Sequence, residues 1–280
     1  MPMKLKLLDL FSGIGGFSLS ASWTGEIETV AFCEIDPFCR QVLKKHWPDV
    51  PIFDDVTKLT KEKLDAAGIG AVDIITGGFP CQDLSVAGAL LGFGGKRSSL
   101  FMEIIRLYSE LRPKYIVFEN VANLLSGDYG RWFERFLSKL AEVGLDAEWH
   151  CIPASAINAK HHRDRVWVVA YPVGERLQRF SERYCKIISL PAKASSSDYT
   201  FSHDPQLFRL GDYQGIRKSD GIPDRTHRLK SLGNAIVPQA AYPILQAIAD
   251  IEAKRLQHTL RSAESPSNGS KGLIKGQSKR

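Results

Sequence analysis

The stretch KLKLLDLFSGIGGFSL, Lys4 to Leu19, carries the reading that decides the fold. Leu5, Leu7, Leu8, Leu10 and Phe11 crowd its first half. That apolar run is too short for a buried helix and the right length for a buried strand. Ser12 to Gly16 then supply a turn containing Gly13, Gly15 and Gly16, and a short helix follows. Glycine takes up left-handed backbone and lets a ligand or another chain segment come close. A strand, a glycine turn and a helix together open a βαβ unit, so a parallel sheet with helices on its faces is expected.

The next 150 residues keep the alternation. ETVAFCEID (28–36) reads as a second strand, and Asp36-Pro37 caps and starts the helix PFCRQVLKKHW (37–47). AVDIITGG (71–78) is a third strand, SSLFMEIIRLYSELRP (98–113) an amphipathic helix ending at a proline, and KYIVFENV (114–121) a fourth strand. GRWFERFLSKLAEVG (130–144) is a helix stopped by glycine. DAEWHCIPA (146–154) and RVWVVAYP (165–172) read as two further strands forming the antiparallel edge of the sheet. From about Tyr171 to Arg228 neither period lasts. Regularity returns in the helical VPQAAYPILQAIADIEAKRLQ, and the last twenty residues have a disorder-like composition. Four parts are therefore expected: an alternating α/β domain over 1–170, a small irregular region over 171–227, a return segment and helix over 228–260, and a basic tail over 261–280. No internal repeat is present.

Composition narrows the class. With 280 residues, 44% hydrophobic and 24% charged, the chain reads as an ordinary globular protein. No apolar run approaches the roughly 18–20 residues that span a bilayer, and the N-terminus lacks a signal-peptide cleavage pattern, so a cytoplasmic location is expected. The cysteines at 33, 39, 81, 151 and 185 are odd in number and unpaired in spacing, against a disulfide framework or a zinc site. Residues 1–170 hold 19 Lys/Arg and 21 Asp/Glu, a net of −2; residues 171–280 hold 18 and 10, a net of +8. A basic C-terminal part suits a polyanion partner and equally a solvated surface.

Four places carry chemistry. The glycine turn of DLFSGIGGFSL lets amide groups and a helix N-terminus approach a ligand, and Glu34 follows Gly13 by 21 residues at the end of the next strand. An acid there hydrogen-bonds ribose hydroxyls. The glycine spacing is GxGG and not GxGxxG, which disfavours a dinucleotide. Cys81, in GGFPCQDLS, lies just beyond an apolar strand, at the crevice where open α/β sheets bind ligands; an isolated cysteine is more often a core residue. Glu119, in FENV, ends the next strand and opens into the same crevice, either as half of a structural ion pair or as a proton donor with a raised pKa. Arg163 and Arg165, in HHRDRVW, share one face of a strand start and suit an anion or carbonyl, or simply an exposed strand end.

Taken together, DLFSGIGGFSL, GGFPCQDLS, FENV, HHRDRVW and RLKSLGNAIVP resemble, in order and approximate spacing, the motifs of the DNA cytosine-5 methyltransferases of bacteria and phages. The resemblance covers residues 5 to about 250, apart from the middle of 171–222. It implies the Rossmann-like doubly wound sheet of S-adenosylmethionine-dependent methyltransferases, with a small, irregular target-recognition domain. S-adenosylmethionine would lie among Phe11, Gly13, Gly15 and Phe17, with Glu34 on its ribose, Asp55 on its adenine amino group, and Leu100 and Asn234 completing the pocket. Cys81 would add to carbon 6 of a cytosine swung out of double-stranded DNA. Glu119 would protonate ring nitrogen 3, Arg165 hold the base carbonyl and Arg163 orient the site. The glycine-rich loop Gln82–Ser98 would close as a lid. A cognate restriction endonuclease is the partner the family offers, and a monomer is expected.

Two departures stand out. His161 occupies a position where the family usually has glutamine, and the variable region is only about 55 residues long. The alternatives are a tRNA cytosine-5 methyltransferase, whose cysteine sits in a Pro-Pro-Cys context unlike Phe79-Pro80-Cys81, and a catalytically inactive DNA-binding relative.

Overall fold

β1 (Leu5–Leu10) lies near the middle of a seven-stranded sheet in the computed structural model of the chain, which describes residues 4–80, 100–153, 164–174 and 231–264. The other strands are β2 (Ile27–Cys33), β3 (Ile52–Phe53), β4 (Ile74–Gly77), β5 (Tyr115–Val121), β6 (Leu145–Pro153) and β7 (Asp164–Pro172). Their order across the sheet is β3-β2-β1-β4-β5-β7-β6. β1 to β5 pair in parallel, and β7 is antiparallel to both β5 and β6. β7 is thus the single reversed strand among those described. β7 and β6 form the antiparallel edge of the sheet that the sequence led us to expect, with β6 at its end running the same way as the parallel set.

Helices cover both faces. α1 (Gly16–Thr24) and α7 (Pro238–Glu264) lie on one side, where Phe17, Ala21, Ile244, Leu245 and Ile248 pack on Leu7, Ile74, Tyr115 and Val117. α3 (Lys61–Ala66), α4 (Leu100–Leu111) and α6 (Arg131–Glu142) lie on the other, where Leu64, Phe101, Ile104 and Phe136 pack on Leu8, Leu10, Ile75, Ile116 and Phe118. Alternate residues of each strand therefore enter different cores, as the two-residue strand period demands. α2 (Pro37–His46) starts where anticipated: the Asp36 carboxylate accepts from the Phe38 and Cys39 amides, with proline at the first turn.

Some elements escaped the sequence reading. β3, a 3₁₀ turn at Val56–Lys58, α3 and the one-turn α5 (Asn123–Ser126) are each too short to show a period. α7 runs to Glu264, so the first four residues of the supposed tail are helical. β7 continues to Pro172, with Tyr171 buried, so the boundary drawn at residue 170 falls inside a strand. Residues 175–227 of the 171–227 region, and the tail beyond Glu264, lie outside the described residues. Among the described residues no helix is long and apolar enough to cross a membrane.

The first turn of α1 meets the segment leading into α7 at very close range. A Cβ on Gly16 would sit 2.8 Å from the Ile236 carbonyl oxygen, a backbone atom that cannot swing aside. Alanine is the better helix former by about 1 kcal/mol. Overpacking costs roughly 1–3 kcal/mol, so the clash should prevail. Gly16→Ala is expected to lower the midpoint of urea unfolding; a raised midpoint would show that the contact relaxes freely.

Candidate active site

The site is built from the ends of β1, β2, β4, β5 and β7. After β1 the chain turns sharply: Phe11, Gly13 and Gly15 all take left-handed backbone, with φ of 52°, 53° and 88°. For Phe11 that conformation is uncommon and marks a constrained position. The Gly13 amide donates to Glu34 Oε2 at 2.7 Å, while Glu34 Oε1 accepts from the Asp36 amide at 2.8 Å. One carboxylate therefore bridges the turns after β1 and β2. Arg40 of α2 donates to the carbonyls of Glu34 and Ile35 and holds the second turn from the other side. Ile35 is left 74% exposed on the rim.

Beneath the glycine turn lies Asp9, wholly buried, which the sequence reading passed over as part of an apolar strand. Its Oδ2 accepts from Ser18 of α1 at 2.7 Å and its Oδ1 from Thr76 of β4 at 2.9 Å. Burial, reinforced by the Glu34 charge, pushes its pKa up to about 7 against the pull of those two hydroxyls. Asp9 ties β1, β4 and α1 together at the point where the strands part.

The other end of the site is made by β4, β5 and β7. Antiparallel pairing sets Val121 opposite Arg165 and Glu119 opposite Trp167. Because β7 is reversed, its first residues lie at the carboxyl ends of the parallel strands, and this brings Arg165 beside Glu119. Arg165 Nε meets Glu119 Oε1 at 2.8 Å, and Glu119 is only 8% exposed. The ion-pair reading of Glu119 is thus the arrangement seen. Glu119 Oε2 overhangs Gly78, 3.3 Å from where a Cβ would be. From the opposite face of β5, Asn120 donates to the Phe79 carbonyl at 2.9 Å.

These groups share one cavity of about 540 Å³. Of the residues anticipated from the sequence, Phe11, Gly13, Glu34, Asp55, Leu100, Glu119, Arg165 and Asn234 line it. Phe17 does not. It was expected beside the cofactor, but α1 turns it inward with Ala21, four residues on, and it packs edge-on against Trp167 with ring centroids 5.7 Å apart. Gly15 is also absent from the lining; it ends the turn, and a Cβ there would lie 2.6 Å from the Trp47 ring. Cys81 and Arg163 lie outside the described residues, as do His161 and the loop Gln82–Ser98. Asp55 caps the 3₁₀ turn, accepting from the Thr57 amide and hydroxyl, and these bonds, with Lys58 beside it, hold its carboxyl below the usual range.

Cys33, Cys39 and Ser231 line the cavity as well, unforeseen. Burial, with the charges of Glu34, Asp55 and Asp54 behind it, pushes the Cys33 thiol up to about 12, so it is no nucleophile near neutral pH. Cys39 Sγ lies 3.4 Å from the Ser231 hydroxyl and joins α2 to the segment before α7. Nothing in the local sequence marks the Cys39–Ser231 contact, which joins residues 192 positions apart.

The sheet order, the glycine turn and the acid at the end of β2 together define the Rossmann-like fold of the S-adenosylmethionine-dependent methyltransferases. Residues 5–206 match the family model described as C-5 cytosine-specific DNA methylase, and the chain belongs to that family. It is 38% identical over 168 residues to the type II methyltransferase M1.ScrFI of Lactococcus lactis subsp. cremoris, covering 60% of this chain and 42% of that protein. It is 35% identical over 169 residues to the orphan methyltransferase M.Rho11sI of Bacillus phage rho11s, covering 59% and 33%. Among solved structures it resembles a proposed DNA modification methyltransferase encoded within an Escherichia coli prophage, with 28% identity, a TM-score of 0.50, and coverage of 60% and 47%. The matched region spans less than half the length of these relatives.

Asp9 makes stability depend on pH in a calculable direction. Its folded pKa lies above its unfolded value near 3.8, so the folded chain binds more protons between about pH 4 and pH 7, and this contribution is lost as pH rises through 7. Asp9→Asn should therefore gain stability relative to the unaltered chain as pH increases over that window. Thermal unfolding of both proteins at pH 5 and pH 8 measures it; an unchanged difference would show that Asp9 does not titrate there.

Proposed function

We propose that the protein is a DNA cytosine-5 methyltransferase, using S-adenosylmethionine to methylate carbon 5 of a cytosine turned out of double-stranded DNA. One observation carries this reading: a nucleoside-type half-site (Phe11, Gly13, Glu34, Asp55) and an acid–guanidinium half-site (Glu119, Arg165) open into the same cavity. Its volume falls within the roughly 300–1,000 Å³ usual for small-molecule sites. Glu34 keeps acceptor capacity beyond its two amide bonds, as a carboxylate has about four acceptor positions. Ile35 offers an apolar rim for a planar base, and Leu100 and Asn234 close the pocket. When bound, the cofactor supplies a methyl group on a positively charged sulfur.

The protein's own part begins at Cys81, carried two residues beyond Phe79. Its thiolate adds to carbon 6 of the cytosine, forming the S–C6 bond and moving the C5=C6 π electrons toward carbon 5. Glu119, entering the reaction in its protonated form, delivers a proton to ring nitrogen 3, which takes up the developing charge, and Arg165 binds the base carbonyl. Arg163 helps orient the site. Once carbon 5 carries the methyl group, a base removes its proton, the C6–S bond breaks and the double bond re-forms. A stacked base cannot offer its ring face to a thiol, so the cytosine must leave the helix. The protein acts as a monomer in the cytoplasm. The relatives' names divide between type II and orphan enzymes, so a restriction endonuclease partner rests on those names alone.

Cys81→Ser should abolish methyl transfer and leave S-adenosylmethionine affinity within about twofold, since the thiol acts on the base. Transfer at the unaltered rate would exclude covalent catalysis. Running duplex DNA beside tRNA identifies the substrate, and methylation of tRNA alone would reassign it. Glu34→Ala removes charged hydrogen bonds worth about 1.5–3 kcal/mol, and the cofactor dissociation constant should rise roughly 10- to 100-fold by calorimetry with DNA affinity unchanged. An unaltered constant would take the ribose away from Glu34.

A further inference from the structure

We infer that Tyr129 and Arg131 form a contact for the sugar–phosphate backbone of DNA at the mouth of the site, an assignment that rests on the methyltransferase reading above. The topology fixes where this pair stands. β5 ends at Val121, which lines the cavity, and the chain then passes through α5 and the turn 127–130 into α6. β6 runs the same way as β5, so α6 must travel back from the carboxyl end of the sheet to its amino end. The turn before α6 therefore stands at the carboxyl end, where the cavity opens.

That turn presents a side chain at a cost. Asp128, Tyr129 and Gly130 take left-handed backbone one after another, with φ of 51°, 56° and 87°. Two consecutive residues that carry a Cβ rarely do so, because the Cβ crowds the following carbonyl. Packing does not offset this at Tyr129, which is 97% exposed and the most exposed large apolar side chain among the described residues. The turn is nevertheless firmly held. Leu124 of α5 is buried, and the Gly127 carbonyl accepts from the Gly130 and Trp132 amides. The Trp132 ring lies so close behind that a Cβ on Gly127 would fall 2.0 Å from it. A strained, anchored turn that presents an aromatic ring to solvent points to a partner outside the chain.

The chemistry of the pair selects that partner. The Arg131 guanidinium carbon lies 5.8 Å from the centroid of the Tyr129 ring, within cation–π range. Arg131 Nε donates to the Asp128 carbonyl and Nη2 to the Asp128 carboxylate, whereas Nη1 has no hydrogen bond to a described residue. Nη1 and the tyrosine hydroxyl are left as neighbouring donors, both of kinds that bind phosphate oxygens, and the flat ring suits a deoxyribose. The Asp128 charge cancels that of Arg131 at long range, so the pair acts at contact distance and not by steering. Contacts of this kind carry no sequence information; they set how the duplex lies over the cavity.

The experiment titrates the full chain and its Tyr129→Ala and Arg131→Gln variants with sheared, unmethylated genomic duplex DNA across a salt series. Each substitution should raise the DNA dissociation constant roughly tenfold, the loss of one hydrogen bond to a charged group. Arg131→Gln should also reduce the slope of log affinity against log salt by about one. The S-adenosylmethionine dissociation constant should stay within about twofold, and the thermal midpoint should not move. Unaltered DNA affinity in either variant overturns the assignment. So does a fall in cofactor affinity or thermal midpoint that matches the loss of DNA binding, which would make the turn a support of the fold. If the unaltered chain neither binds nor methylates duplex DNA, the methyltransferase reading falls and this contact with it. An unaltered chain that methylates DNA, beside variants that bind it equally well, removes the contact alone.

Discussion

β1 and β4 are hydrogen-bonded neighbours that send their chains to opposite faces of the sheet, and the site depends on that parting. Leu7 to Leu10 pair with Ile74 to Gly77, yet α1 leaves over one core and α4 packs in the other. No helix can then cover the carboxyl ends of these two strands, and a crevice is left there. Asp9 reinforces the junction by taking hydroxyl hydrogen bonds from Thr76 and Ser18. A fully buried carboxyl with two hydroxyl donors, and no cation bonded to it among the described residues, is a costly stabiliser. Its raised pKa is the sign of that cost, and its position under the glycine turn is the gain.

The reversed β7 supplies the second half of the site. Had it run parallel, Arg165 would begin at the far edge of the sheet from Glu119, and the two could not meet. Their ion pair is mostly removed from water, where desolvation offsets much of the attraction. Its structural value is orientation: it turns one carboxylate oxygen toward the guanidinium and leaves the other over Gly78. The glycine makes room for that oxygen, so the strand exit, the acid and the arginine converge without a side chain between them.

Much of this was legible along the chain, and the exceptions share a cause. The apolar strand, the glycine turn and Glu34 announced the βαβ unit and the turns that line the cavity, because turn chemistry and strand ends are local properties. Glu119 and Arg165 were marked as site residues, and both line the cavity. Phe17 has a place in the glycine motif that suggests a ligand contact, and its helical phase packs it in the core against Trp167. Asp9 and Asn120 were hidden in apolar strands: a polar residue there is explained only by partners at Ser18, Thr76 and Phe79, which local pattern does not disclose. β3, α3 and α5 were missed because a turn or two of structure has no period to detect.

From the residues alone came the alternation of strand and helix, the chemistry of each motif, and the family those motifs resemble. These follow from backbone preferences and side-chain chemistry acting over a few positions. Only the folded chain decided that β7 runs backwards between β5 and β6, that Asp9 is sealed beneath the glycine turn, and that Asn120 grips the strand exit. Strand direction, burial and hydrogen-bond partnership depend on residues as much as 67 positions apart for Asp9 and Thr76, and on 41 for Asn120 and Phe79. No local preference encodes which distant donor a buried oxygen will find; packing in three dimensions selects it.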